Sequence, residues 1–209
     1  MVILRRNHLL SPKSTTRARA RLNQGKRTEA AADAALVPAG FVFTAKTTAA
    51  AGRAENRIFR FNNTSGTVTV DTQFRAQQVT GVTDPRVNVT DAGRGGSMPS
   101  VRLWVQNKYK SLNDPIPIAT WREATLIRAE VAGGAVAVQL INQLRTASNL
   151  PAFSSMVASE IDAQVRQERR RELFIEGHRL FDTIRFNIPL IPANGAVFPN
   201  GGGTYGSNK

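Results

Sequence analysis

The chain has 209 residues, of which 41% are hydrophobic, enough for one ordinary domain or two small ones with a buried core. It has no cysteine, which excludes disulfide bridges, thiolate metal sites and a cysteine nucleophile. The two histidines, His8 and His178, are far apart in sequence. A histidine-rich metal site is therefore excluded, no cofactor is indicated, and only a carboxylate site stays open. No apolar run approaches the roughly 18 residues that span a bilayer.

Positive charge dominates the composition, with 28 basic and 15 acidic residues and a net charge of +13. Residues 1–60 hold twelve of the basic residues and three of the acidic ones. A basic front half indicates nucleic acid or another anionic surface as a partner. We favour the alternative, an incidental basic terminus, because no aromatic residue precedes Phe41 to stack on bases.

The first third of the chain predicts one helical hairpin. Residues 1–14 have no clear period, so we expect an unstructured or foreign start. Residues 15–38 are rich in alanine and have high helix propensity, with Gly25 at a turn and Pro38 at the end. Small residues at the helix contact are typical of tetratricopeptide-like repeats.

The rest of the chain divides into an insert, a helical region and a tail. Residues 39–118 predict a loop-rich insert with short strands, because apolar and polar residues alternate between Gly, Asn and Thr clusters. Residues 119–188 predict helices again, and residues 189–209 predict an irregular tail. The expected strands are 41–44, 56–62, 66–71 and 101–105, and the expected helices are 119–132, 135–147, 155–176 and 178–186.

Two glutamates fall on the apolar face of the helix expected over 155–176. On a helical wheel, Ile161 and Val165 form a buried stripe, and Glu168 and Glu172 lie within the same stripe. A buried carboxylate must be paired or neutralised. The pattern therefore predicts an ion-pair network in the core.

Arginines of the following short helix are the expected partners. If this helix folds back after Gly177, Arg179 or Arg185 can reach Glu168 or Glu172. Paired glutamates four residues apart can also perform acid–base catalysis, as in glycoside hydrolysis. Neighbouring arginines would keep both carboxylates ionised and remove the proton donor, so we favour a structural network, with no catalytic residue and no bound metal.

A motif over residues 168–185 resembles the hallmark of the SusD/RagB family. It reads Glu-Arg-Arg-Arg-Glu-Leu-Phe-Ile-Glu-Gly-His-Arg-Leu-Phe-Asp-Thr-Ile-Arg. The resemblance extends over about Ala18 to Phe186. Upstream segments follow the order of the family: Asp84-Pro-Arg-Val, Lys108-Tyr, Glu123–Glu130 and Leu140–Arg145.

The resemblance implies a mainly helical, SusD-like fold of tetratricopeptide-like hairpins. It further implies a non-enzymatic protein at the outer membrane that binds nutrients, above all oligosaccharides, and passes them to a TonB-dependent, SusC-like transporter. Family members carry a signal sequence and a lipid-bearing cysteine, and neither occurs in this sequence. We therefore expect one incomplete SusD-like domain, either a C-terminal-half fragment or a mis-started reading frame.

Three aromatic residues are candidates for stacking on a sugar ring. Trp121 opens an expected amphipathic helix and Tyr109 ends a strand-like run, so both are expected in packing roles. Trp104 is the candidate that remains for ligand binding. The alternative function is a cationic helical-repeat module that binds nucleic acid or another protein.

Overall fold

The structure is a computed structural model that describes residues 3–50, 53–189, 191–198 and 202–206, with side chains from residue 11 onward. In these residues the fold is mainly helical with three two-stranded antiparallel sheets, which confirms the predicted fold class. The helices in chain order are α1 (Ile3–Asn23), α2 (Arg27–Ala35), the one-turn α3 (Arg57–Phe59), α4 (Trp121–Ala132), α5 (Gly134–Thr146), α6 (Ala158–Glu172) and α7 (Arg179–Arg185).

Of the six short strands in the described residues, β2–β3 and β4–β5 form local hairpins, and β1 and β6 pair across a long stretch of sequence. β1 pairs with β6, β2 with β3, and β4 with β5. The strands are β1 (Val42–Ala45), β2 (Gln78–Val79), β3 (Val82–Thr83), β4 (Val89–Gly95), β5 (Arg102–Gln106) and β6 (Ile116–Thr120).

The chain forms two compact units. Unit 1 contains residues 1–46, 78–86 and 115–177, and unit 2 contains residues 47–77, 87–114 and 178–209. The predicted insert therefore contributes to both units: β1, β6 and the β2–β3 hairpin belong to unit 1, and β4–β5 belongs to unit 2.

Helix α1 begins at Ile3, so the prediction of an unstructured start over residues 1–14 is wrong for residues 3–14. The face that α1 buries here is polar: Ser11, Ser14 and Thr15 are all buried. The Thr15 hydroxyl donates to the Ser11 carbonyl at 3.0 Å, which satisfies the side chain within the helix. Small polar residues do not register as an apolar stripe, which is why the periodicity of the sequence missed this part of the helix.

Small side chains allow α1 and α2 to pack closely in unit 1. Gly25, at a φ of +76°, forms the turn between the two helices, a backbone conformation that favours glycine. Ala18, Ala30 and Ala34 are buried, and Ala30 has no exposed surface. These alanines form one apolar cluster with Leu22, Ala124 and Ile127, which joins the first hairpin to α4.

The same helix α4 packs against α5 and α6 on its other sides. Gly133, at a φ of +63°, forms the sharp turn from α4 into α5. One cluster joins α4, α5 and α6, and a second places Trp121 against buried leucines. The members of the first cluster are Ala129, Ala137, Leu140, Ile141, Ile161 and Val165, and those of the second are Leu126, Leu144 and Leu173.

Unit 2 is organised around the β4–β5 hairpin. Leu103 of β5 has no exposed surface, and Gln106 at the end of β5 is buried. The Gln106 backbone N–H donates to the side-chain oxygen of Asn62 at 2.7 Å, and the Gln106 side chain donates to the carbonyl of Tyr109 at 2.9 Å. Tyr109 is thus a buried packing residue of this unit. These amide contacts satisfy polar groups that burial would otherwise destabilise.

Residues 56–62 form helical turns instead of the predicted strand. α3 continues into a wider turn over Arg60–Thr64, and the Asn56 side chain accepts a hydrogen bond from the backbone N–H of Phe59 at 3.0 Å. An asparagine that caps the first turn favours a helix over a strand. A short alternating run does not distinguish a strand from a helical turn, which is why the prediction failed.

Candidate functional site

Helix α6 carries the two glutamates of the motif into the core of unit 1. Ile161 and Val165 are buried on one face of α6, and Glu168 and Glu172 are buried with them. The side chain of Glu168 has no exposed surface, and that of Glu172 is 3% exposed. The helical wheel therefore predicted correctly that both carboxylates lie on the buried face of α6.

Three arginines from outside α6 hold these two carboxylates. Arg86 Nη1 lies 2.5 Å from Glu168 Oε2 and 3.0 Å from Glu172 Oε2, so one guanidinium joins both acids. Arg145 Nε, from α5, donates to Glu168 Oε1 at 2.7 Å. Arg122, from α4, is hydrogen-bonded to Glu172 Oε1. The arrangement ties α4, α5 and α6 to the segment that follows β3.

Asp84 fixes the central arginine of this network. It accepts hydrogen bonds from Arg86 Nε at 2.9 Å, from Arg86 Nη2 at 2.8 Å and from the Arg86 backbone N–H at 3.0 Å. A two-pronged arginine–carboxylate contact of this kind holds both groups in one geometry. Arg171 Nη1 lies 3.8 Å from Asp84 Oδ2 and adds a further positive charge.

Burial and pairing act in opposite directions on Asp84 and Arg86. Burial raises the pKa of Asp84, but the hydrogen bonds and charge of Arg86 outweigh it, and the pKa of Asp84 is lowered. Burial lowers the pKa of Arg86, but the hydrogen bonds that Arg86 donates to Asp84 and the charges of Glu168 and Glu172 outweigh burial, and the pKa of Arg86 is raised. Both groups are therefore held in their charged forms.

The predicted partners, Arg179 and Arg185, are replaced here by Arg86, Arg122 and Arg145. Arg185 Nη2 instead lies 2.7 Å from Asp182 Oδ1, within α7. A helical wheel identifies the face of a residue but not the distant segment that packs on it, so nearness in sequence suggested the wrong arginines. The three arginines do lie in or beside the segments Asp84-Pro-Arg, Glu123–Glu130 and Leu140–Arg145, and that signal could have identified them.

We call this cluster the arginine–carboxylate network. Its geometry is that of a structural element. Its members are Asp84, Arg86, Arg122, Arg145, Glu168 and Glu172. Every carboxylate in it accepts hydrogen bonds from guanidinium groups, and buried ion pairs satisfied in this way favour one packing arrangement. Among the residues that the structure describes, no three His, Asp or Glu side chains are grouped so that they could share a metal ion.

The aromatic candidates lie in different places. Trp121 packs in the unit 1 core, whereas Trp104 lies in β5 of unit 2 at intermediate exposure. The guanidinium carbon of Arg75 lies 4.6 Å from the centre of the Trp104 ring, a cation–π contact. His178 is buried directly before α7. Sequence reasoning nominated Trp104 but gave no indication of Arg75.

Known proteins resemble this chain in sequence and fold. The sequence model of the SusD family matches residues 123–208. A SusD-like carbohydrate binding protein from Bacteroides vulgatus is 19% identical, with a TM-score of 0.65 over 83% of this chain and 44% of that chain. A SusD-like protein from Bacteroides fragilis is 14% identical, with a TM-score of 0.56 over 84% of this chain and 53% of that chain. No curated protein matches the chain.

A third solved structure gives the same result. A SusD superfamily protein from Parabacteroides distasonis is 16% identical, with a TM-score of 0.53 over 77% of this chain and 47% of that chain. The chain thus spans about half the length of the solved structures it resembles. At these identities the structural likeness establishes the fold.

Proposed function

We propose that the protein is a non-enzymatic nutrient-binding protein of the outer membrane, because residues 123–208 match the sequence model of the SusD family. Its ligand is an oligosaccharide, which it delivers to a TonB-dependent transporter of the SusC-like kind. The residue that we place at the ligand is Trp104. None of the helices in the described part of the chain is long and apolar enough to cross a bilayer.

The observation that carries this proposal is the family match over residues 123–208, which contain most of α4 and all of α5, α6 and α7. Within residues 123–208, Arg145, Glu168 and Glu172 supply half of the arginine–carboxylate network. One solved structure with the same fold is described as a SusD-like carbohydrate binding protein. The family match and the description of this neighbour support carbohydrate binding as the proposal, although fold alone does not define a function.

The state of the buried acids supports binding without catalysis. Hydrolysis of a glycosidic bond uses one protonated and one ionised carboxyl group. Glu168 and Glu172 are almost fully withdrawn from solvent, and the oxygens of both acids already accept hydrogen bonds from arginine guanidinium groups. A carboxylate pair so held is suited to joining helices.

The basic front half supports the same choice over a nucleic-acid-binding module. Arg17 and Arg21 both contact Asp33, at 2.5 and 2.7 Å, and the Arg19 guanidinium lies 2.5 Å from Glu123. These arginines contribute to helix packing within unit 1. A guanidinium already bound to a carboxylate has fewer hydrogens to offer a phosphate group.

Isothermal titration calorimetry with a set of neutral and acidic oligosaccharides tests the proposal. We expect saturable binding of at least one sugar, and chromatography should recover that sugar uncleaved. An affinity-tagged chain added to outer membranes should also retain a TonB-dependent transporter. Shortened sugar products would contradict the non-enzymatic assignment, and a folded chain that binds none of the sugars would contradict carbohydrate binding.

A further inference from the structure

The face of the β4–β5 hairpin that carries Trp104 also carries charged side chains, and we propose that it binds sugars with carboxylate or sulfate groups. This inference rests on the proposed carbohydrate binding and adds the chemical class of the ligand. We call this face the Trp104 surface; its residues are Arg75, Asp91, Arg102 and Trp104.

Hydrogen bonds on both sides of its backbone hold Trp104 in place. Its N–H donates to the hydroxyl oxygen of Thr69 at 2.8 Å, and its carbonyl accepts from the N–H of Val70 at 3.0 Å. The same Val70 presents its own carbonyl to Arg75 Nε at 3.1 Å and Nη2 at 2.8 Å. Residues 69–70 therefore position both the indole ring and the guanidinium above it. A pre-positioned aromatic ring loses little conformational entropy when a ligand stacks on it.

Asp91 and Arg102 complete the surface beside the ring. Asp91 is paired directly with Trp104 across the hairpin, and Arg102 lies two residues before Trp104 on the same strand face. Arg102 Nε lies 2.8 Å from Asp91 Oδ1, and the two side chains are 54% and 36% exposed. The hydrogen bond from Arg102 is the main cause that lowers the pKa of Asp91, so this acid is ionised. Asp91 thus orients Arg102 while leaving it accessible.

Positive charge remains in excess after this pairing. Residues 87–110 contain four basic residues and a single acidic one, Asp91, and Arg75 adds another positive charge above the ring. Unit 2 as a whole has eleven basic and five acidic residues. A neutral sugar gains little from this excess, whereas a carboxylate or sulfate group can accept a charge-assisted hydrogen bond from a guanidinium.

A small groove lies next to the hairpin in the same unit. Its lining includes the side chains of Thr67, Thr69 and Ser97, and its volume is about 120 Å³. Thr69 connects the groove to the Trp104 backbone through the hydrogen bond described above. Binding sites for drug-sized ligands occupy about 300–1,000 Å³. The groove is therefore suited to the edge of one sugar ring, with the remainder of an oligosaccharide on the open Trp104 surface.

Affinity electrophoresis of the full chain in native gels tests the inference. The gels contain polygalacturonate (carboxylate), chondroitin sulfate (sulfate) or neutral dextran and xylan. We expect retardation by at least one acidic polymer and weaker or no retardation by the neutral ones. Trp104→Ala leaves the net charge unchanged and should weaken the binding about tenfold or more, and Arg75→Gln should weaken it by a similar factor.

Arg53→Gln is the matched control, because it removes one exposed positive charge of unit 2 from a residue that is not part of the Trp104 surface. We expect less than about a twofold effect from it, since salt screens distant surface charges. Thermal melting of each variant separates loss of binding from loss of fold. If both the Trp104→Ala and the Arg75→Gln variants still bind the acidic polymers, the Trp104 surface is not the binding site. Retardation only by neutral polymers would overturn the anionic class but leave carbohydrate binding standing, and retardation by none would contradict both.

Discussion

Glu168 has no solvent exposure, yet it lies against arginine side chains in the core of unit 1. Its two oxygens accept hydrogen bonds from Arg86 at 2.5 Å, Arg145 at 2.7 Å and Gln164 at 2.8 Å. Glu168→Ala would leave Arg145 buried without its carboxylate. Breaking a buried pair in this way costs about 3–5 kcal/mol. We expect a loss of this size in the free energy of unfolding, measured by urea denaturation.

Glu160→Ala on the same helix is the control. Glu160 is exposed and accepts a hydrogen bond from Ser155 at 2.7 Å, so its loss should cost less than about 1 kcal/mol. Glu172→Ala should lie between the two variants, because one of its partners, Arg122, is 30% exposed and can be hydrated. Equal losses for Glu160→Ala and Glu168→Ala would disprove the role of the network.

Asp84 makes the stability that the arginine–carboxylate network contributes dependent on pH. Its pKa is lower in the folded chain than its unfolded value near 4, so its pairing stabilises the fold above that pH. The contribution is lost as the pH falls from about 4 through the lower, folded pKa. We expect the urea midpoint of the native sequence to fall steeply below about pH 4. The Asp84→Asn variant should be less stable than the native sequence at neutral pH, and its urea midpoint should fall less steeply as the pH is lowered. Parallel plots of urea midpoint against pH for the two proteins would contradict this.

The residue-level content of the site was only partly predictable. Glu168 and Glu172 were found because a helical period places them beside Ile161 and Val165. Their arginines could not be found by period, since Arg86 is 82 residues from Glu168 in sequence. Contacts across such separations depend on how whole elements pack.

At the scale of elements, α7 presents an apolar face that its own unit does not cover. Leu180, Phe181 and Ile184 are each more than half exposed. A contiguous exposed apolar patch favours association. We expect the double variant Phe181→Ser and Ile184→Ser to reduce self-association in sedimentation velocity, with a change in stability of no more than about 0.5 kcal/mol per site.

Val136→Ser is a comparison for that double variant. Val136 on α5 is 51% exposed, and the residues on either side of it are alanines. A scattered apolar side chain is normal on a protein surface, so its replacement should leave the sedimentation profile unchanged. If the α7 variant sediments like the native sequence, this face does not drive association.

The elements themselves were predicted unevenly. The helices α2, α4 and α6 lie within the predicted helical stretches, and α5 begins one residue before its predicted start, because propensity, glycine turns and apolar period agree there. The prediction of a strand over residues 56–62 is wrong. The three apolar residues of this segment fit a strand and a helical turn equally well, and the helix cap at Asn56 is too local a signal to decide between them. Residues 66–71 are not a named strand, although Val70 is hydrogen-bonded to β5.

At the scale of the whole molecule, the excess of positive charge has two parts. In unit 1, Arg17, Arg19 and Arg21 are bound to carboxylates that join helices. In unit 2, the hairpin with Trp104 keeps an excess of basic side chains at the surface. Composition alone therefore suggested nucleic acid as a partner, whereas the placement of the charges favours an acidic sugar bound to unit 2.

A glycan microarray probed with the labelled chain, with and without excess double-stranded DNA, tests the central claim most directly. We expect binding to a restricted set of glycans that persists in the presence of DNA, because duplex DNA supplies negative charge but no sugar ring that is free to stack on Trp104. A cationic module would instead bind DNA through its phosphates, so DNA would displace it from every acidic spot. Complete displacement by DNA, or binding to DNA with no binding to any glycan, would contradict carbohydrate binding by this protein.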